Sequence, residues 1–298
     1  MRSSHLIAGA ALLGILAMTW HFSEHGLPAP ADQSALPTKR GRAPLATGHS
    51  EFLQPAQVTP LSKVIARGGR TFSVETSVPD YEGDAKAYVE AWVPSSRAGD
   101  AAASYAIYLR VRRCRLAMRP IGEDELAIDQ ASGIAQQALR TRERELGQCA
   151  ALMSAEDLFQ ANWLELAAEQ GSLEARLIYA TNPADVLGDR SQMLASPERT
   201  IAYRETAIGY LEAALRQGDL DALSILSSAY ENGILVGRDP VMAYAYAAAL
   251  VRADPDPAIA DLESIPRQSL TEAQLRQGRD MAGAIYTQCC VQPEVTSR

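Results

Sequence analysis

Beyond residue 49 the chain has no histidine, and beyond Lys86 it has no lysine. The first absence removes Ser-His triads, Cys-His pairs and histidine metal sites from everything after His5, His21, His25 and His49. The second leaves Lys39, Lys63 and Lys86 as the whole lysine complement, so the later chain has no Walker lysine, Schiff-base amine or Ser-Lys dyad. Cysteine is scarce too: there are four in 298 residues, and none stands directly after the N-terminal apolar run, which argues against a lipid-modified N-terminus. Four thiolates this scattered do not read as a metal site. Basic charge is in deficit, with 24 basic against 34 acidic side chains beyond residue 49, and that balance disfavours a nucleic-acid surface. These absences close most routes to catalysis and leave no cofactor to expect.

The chain opens with Arg2 and then an apolar run from Leu6 to Phe22, uncharged until Glu24. About 17 residues is the short limit for a bilayer span, so the run reads as an uncleaved signal anchor or a removed signal peptide over residues 1–22. Either way the rest is exported, to the periplasm of a bacterium-like cell. Pro28, Pro30, Pro37, Pro44, Pro55 and Pro60 then punctuate a segment too polar to bury a core, which reads as part of a flexible tether over 23–79. Within it, Val64 to Val78 is ambiguous between a short strand and extended coil lying on the first helices, with coil favoured.

A repeat dominates the remainder. Residues 162–180 lie over 209–227 without a gap, sharing Leu164/Leu211, Glu165/Glu212, Ala167/Ala214, Gln170/Gln217, Gly171/Gly218, Leu173/Leu220 and Ala175/Ala222, with Trp163 matched by Tyr210. Each copy reads as a helical hairpin: paired alanines let a neighbour approach, glycine ends the first helix, Ser172 or Asp219 caps the second, and Ala175 or Ala222 faces back. One copy alone cannot bury its apolar side, so neighbours must stack. The copies are 47 residues apart, whereas Tyr246 follows Tyr210 by 36, so Thr181 to Thr200 holds an insertion of about eleven residues. Upstream, Gly99 to Tyr108 repeats the second-helix pattern, with Ala85 to Trp92 as a worn first helix cut at Pro94.

With Ala229-Tyr230-Glu231-Asn232-Gly233 and Asp239 to Ala249 added, this pattern resembles the Sel-like repeat, a relative of the tetratricopeptide repeat. The resemblance covers about a third of the chain, residues 161–252, and implies an all-α, right-handed solenoid that binds a protein or peptide partner in a concave groove. Residues 80–160 become an N-terminal helical part with a degenerate repeat, and 253–298 a capping helix and tail. In total, 80–290 has room for some nine or ten helices. Trp163, Tyr210, Tyr230 and Tyr246 recur at repeat positions and so read as packing, while groove contacts fall to variable positions: Glu169, Arg176, Arg216 and Ser224.

Other features have structural readings. Cys114 and Cys149 suit a disulfide between neighbouring helices, whereas Cys289 with Cys290 is the least favoured pairing because adjacent α-carbons lie closer than disulfides ordinarily span. The Arg110, Arg112, Arg113, Arg115 and Arg119 cluster reads as a solvated face paired with local acids, or as an anionic-ligand site. Glu123, Asp124 and Glu125 look like the acidic first turn of a helix, and Ser154 with Asp157 like a cap. Ser269 and Glu272 look like a capping box for a last helix whose apolar side is Leu270, Ala273, Met281, Ala284 and Ile285. The expectation is a non-enzymatic scaffold in the cell envelope, held at the inner membrane by its N-terminal segment. Its rival is a hydrolase using carboxylates alone, which requires two of them buried together in a cleft.

Overall fold

The computed structural model describes residues 62–76, 82–256, 259, 261, 262 and 264–291. The apolar N-terminal run and the proline-rich stretch up to residue 61 lie outside these. No helix among the described residues is long and apolar enough to cross a membrane.

Three turns repeat one design. Gly99, Gly171 and Gly218 all take positive φ, at 95°, 107° and 98°, a backbone that side chains with a β-carbon resist. The next residue in each case caps a helix. Asp100 accepts from the Ala102 and Ala103 amides, Ser172 from Ala175, and Asp219 from Ala222. Three positions on, Ala103, Ala175 and Ala222 are fully buried. The helices so joined are α1 (Ala85–Arg97) with α2 (Ala101–Met118), α6 (Trp163–Gln170) with α7 (Leu173–Thr181), and α10 (Pro197–Gln217) with α11 (Leu220–Asn232).

Stacking follows chain order. Helix α2 packs on α6, α7 on α10, α11 on α12 (Pro240–Ala253), and α12 on α14 (Glu272–Cys290). The result is an all-α solenoid with one β-hairpin attached. Gln170 shows how hairpins are joined: its amide donates to the Ser96 carbonyl at 2.8 Å and its carbonyl accepts from the Ser104 hydroxyl at 2.5 Å. Between α2 and α6 the chain detours through α3 (Glu123–Ala131), α4 (Ala135–Met153) and α5 (Glu156–Phe159), with α4 packed back on α1 and α2. Between α7 and α10 the insertion folds as α8 (Pro183–Leu187) and α9 (Arg190–Ala195) and lengthens α10. Its Asp185 reaches back to α2, accepting from the Tyr108 hydroxyl at 2.6 Å and pairing with Arg112 at 3.3 Å. Short α13 (Ser264–Arg267) precedes α14. Among the described residues ten helices have eight residues or more, and the others are single turns or little longer.

Several expectations are corrected. Residues 62–76 are not coil on the first helices but an antiparallel hairpin, β1 (Ser62–Gly68) and β2 (Thr71–Thr76), with Val64 opposite Val74. It docks on the α10–α11 turn, where the Phe72 amide donates to the Gly218 carbonyl at 3.0 Å and the Val74 amide to the Asp221 carboxylate at 3.1 Å. Pro94 does not cut α1, which continues to Arg97; the proline lies in the last turn on an exposed side, where one missing amide is tolerated. Ser154 does not cap the start of α5, whose N-cap is Ala155; it ends α4, and its hydroxyl donates back to the Ala150 carbonyl. The box on α14 is Thr271 with Gln274, two residues later than Ser269 with Glu272. Of the expected apolar side, Met281 and Ile285 do pack against the core while Ala273 and Ala284 are exposed; the most buried positions are Leu275, Gly278 and Ala282, because α14 lies tightly on α12, where a β-carbon at Gly278 would come 2.6 Å from the Tyr244 ring.

Cys114 and Cys149 are joined, with Cα–Cα 5.6 Å, stapling α2 to α4. Cys289 and Cys290 are also joined, to each other, contrary to the expectation from spacing. With the first pair closed, each of these two is the other's remaining thiol within the chain, and both pack inward at the end of α14.

Candidate functional site

A chain built of repeats presents repeated chemistry, and here it lies where the second helix of one hairpin meets the first helix of the next, α7 with α10 and α11 with α12. Tyr179, Tyr203 and Tyr210 form a cluster at the junction of α7 and α10, with Tyr179 and Tyr203 stacked at 5.0 Å and Tyr210 edge-on to Tyr179 at 5.3 Å. The Tyr203 hydroxyl donates to the Tyr179 carbonyl at 2.7 Å. Burial pushes the Tyr179 hydroxyl up to about 12, with the negative charge of Glu165 adding to it. Burial and then Glu169 raise Tyr210, opposed by Arg176, whose guanidinium lies 5.1 Å over the ring.

One repeat further on, the arrangement recurs. Tyr230 and Tyr246 stack at 5.7 Å, and after burial it is Glu212 that raises Tyr230, while Tyr246 goes up to about 12 through burial, Tyr230 and Glu212. Glu165 and Glu212 are equivalent repeat positions. The surface is therefore a two-period ledge in which carboxylates border tyrosine pairs along α6, α10 and α12. Tyr179, Tyr203 and Tyr246 are buried in their stacks, so what such a ledge offers a basic or amide-bearing segment is the negative charge of the glutamates beside the half-buried Tyr210 and Tyr230.

The four residues proposed from variable positions are not gathered into one site. Glu169 is exposed and Arg176 half-buried beside the same Tyr210, with Arg176 also donating to the Ala168 carbonyl at 3.0 Å. Arg216 is exposed and lies 3.8 Å from Glu212 on its own helix. Ser224 is elsewhere, lining a small cavity of about 240 Å³ between α11, α12 and α13 with Ser227, Glu231 and Pro266. Of the repeat aromatics, Trp163 and Tyr246 are buried and Tyr210 and Tyr230 half-buried. Tyr179 escaped the sequence reading, and the two equivalent glutamates entered it as a repeat identity but not as site residues. The glutamates left a signal there, being the one acidic identity between the two copies.

The arginine cluster is dispersed by its partners. Arg110 is 1% exposed and ion-paired with Glu145, which also takes Arg113 at 2.7 Å. Arg115 donates to the Phe159 carbonyl at 2.6 Å and lies over that ring, and Arg119 pairs with Glu125 at 3.3 Å. The solvated-face reading is thus wrong for Arg110, which is core. Cys114, Cys149 and Glu145 come close enough to suggest a metal site, but the sulfurs are bonded to each other and the carboxylate is held by two guanidiniums. Glu123, Asp124 and Glu125 do form the acidic first turn of α3. The buried carboxylates among the described residues are Glu145 and Asp219, one in an ion pair and the other a helix cap.

No family model and no curated protein matches the chain. Among solved structures, the crystal structure of a protective antigen present in uropathogenic Escherichia coli strains, displaying an SLR (Sel-like repeat) fold, is similar over 70% of this chain and 45% of that one, at 19% identity and TM-score 0.36. The chain thus spans less than half of that protein's length. So loose a superposition adds no weight. The description as stacked helical hairpins stands on the three equivalent turns at Gly99, Gly171 and Gly218.

Proposed function

We propose that the protein is a non-enzymatic adaptor of the bacterial cell envelope, holding a protein or peptide segment along the glutamate and tyrosine ledge of α6, α10 and α12. The observation that carries this reading is the recurrence of a stacked tyrosine pair where one hairpin meets the next, Tyr179 with Tyr203 and Tyr230 with Tyr246, with the charge of Glu165 raising Tyr179 and that of its equivalent Glu212 raising Tyr230 and Tyr246. A periodic surface suits a periodic ligand, an extended or helical chain segment, better than one small molecule. The negative charge of the body favours a segment carrying basic side chains. Export is supported by the N-terminal apolar run and by disulfide bonding of every cysteine, which belongs to an oxidising compartment. Among the described residues neither buried carboxylate has a second buried carboxylate beside it: Glu145 is held by Arg110 and Arg113, and the acidic neighbours of Asp219, Asp221 and Glu174, are only half-buried.

The test is affinity capture from envelope membranes with the tagged full chain, compared with a Glu165→Lys/Glu212→Lys variant, followed by mass spectrometry. A protein retained by the wild type and lost from the variant is the expected result. No retained protein, together with cleavage of wall glycan or peptide by the purified chain, would overturn it in favour of a hydrolase.

A further inference from the structure

Helix α3 buries none of its nine residues, and α4 buries only Glu145, Cys149 and Leu152, all in its second half. The paired segment 123–144 therefore has no core of its own beneath it. Around it cluster Leu116, Met118, Leu126, Ile128 and Ile134, exposed by between 37% and 64%. Between α2, α3 and α4 lies an open cavity of about 500 Å³, floored by Leu116, Leu126, Ile134 and Leu139. Apolar side chains grouped in this way mark an interaction surface, whereas scattered ones do not.

The charges around the cavity say what covers it. Its α3 wall carries Asp129 and its α4 wall Arg142, and neither is in an ion pair among the described residues. An acid on one wall and a base on the other form a self-complementary surface: a two-fold rotation sets the acid of one copy against the base of the next and closes both apolar floors together. We infer that α3 and the first half of α4 form an isologous interface between two copies of this chain. The disulfide from α2 to α4 fixes the base of the segment, so the surface is presented on a stapled support. This inference is independent of the ledge proposed to hold a partner.

The test uses the full chain in its native membrane, with the photoreactive residue p-benzoylphenylalanine placed at Ile134 and, as a control, at the still more exposed Ile201 of α10. Irradiation should give a product of twice the chain's mass from position 134 alone, with the crosslink mapped to residues 116–142 of the second copy. Asp129→Arg or Arg142→Asp should each lower the yield about fivefold, and the two together should restore it to within about twofold, since the exchanged charges again match. A product with another protein or with lipid, no product, or a dimer product indifferent to both charge reversals overturns the inference.

Discussion

Asp219 combines two demands that conflict. As the cap of α11 its Oδ1 accepts the Ala222 amide at 2.8 Å, while its Oδ2 is buried with no hydrogen-bond partner, and the docked hairpin covers the turn. Burial pushes its pKa up from 3.8 to about 6, with Asp221 and Glu174 adding to the rise and the Ala222 amide opposing it. The unfolded chain gives up this proton near pH 4 and the folded chain only near pH 6. Stability from this group is therefore present at low pH and falls as pH rises through that window, staying low above it. Asparagine keeps the capping oxygen and removes the charge. Asp219→Asn should thus gain on the wild type between pH 4.5 and pH 6.5, by on the order of 2 kcal/mol, and hold that gain at pH 7.5. Parallel thermal melts across the range check this, and a difference independent of pH would show that the carboxylate ionises normally. Asp219→Ala removes the charge and the cap together, so its difference from the wild type should follow the same pH trend while lying roughly 1 kcal/mol below Asp219→Asn at each pH.

At the scale of elements, the α2–α4 junction concentrates its stability in a few atoms. Cys114–Cys149 closes a loop of 35 residues, and beside it Glu145 neutralises Arg110 in the core. Glu145→Gln leaves that guanidinium buried and uncompensated, so a loss of roughly 3–5 kcal/mol is expected in denaturant unfolding with the disulfide intact. A joint Arg110→Met/Glu145→Leu change should lose far less, because it removes both charges. This junction also marks where sequence reading succeeds and where it stops. The three hairpins were legible because glycine, a capping side chain and a small residue three positions on are a local code that each turn obeys. The choice between Ser269 with Glu272 and Thr271 with Gln274 was not, since both satisfy the capping pattern. Contact between Gly278 and Tyr244 decides between them, and that contact lies more than thirty residues apart in sequence. Arg110 looked like surface for the same reason: its partner stands 35 residues away. Of the candidate ledge, only the repeated glutamates and aromatics were visible, because the tyrosine they border in the first period comes from α7, outside the shared pattern.

Across the whole molecule, a stack of hairpins is held by neighbour contacts, so its ends are the places to open first. The β-hairpin alters that. Arg70, at its turn, donates to the Arg216 carbonyl in the last turn of α10 and to the Gln288 and Val291 carbonyls at the end of α14, 3.2 and 3.5 Å away. Guanidinium donors suit such helix ends, where carbonyls lack internal partners and the dipole is negative. Gly218 makes room, since a β-carbon there would come 2.6 Å from the Arg70 carbonyl. Arg67 adds an ion pair to Asp254 at 3.6 Å, just beyond α12. One short element thus ties α10, α12 and α14 from outside the stack, in addition to its contact with α11, and it precedes all of them in the chain. Arg70→Ala should loosen β1, β2 and the last two turns of α14 together, with amide exchange there faster by roughly tenfold, a loss of about 1.4 kcal/mol. Helices α1, α2 and α4 should keep their protection, because their disulfide and the Arg110–Glu145 pair hold them independently. Exchange measured by mass spectrometry on peptides from both ends distinguishes the outcomes. If protection falls equally along the whole array, the hairpin is part of a single cooperative unit, and the picture of a clamp on the final repeats is wrong.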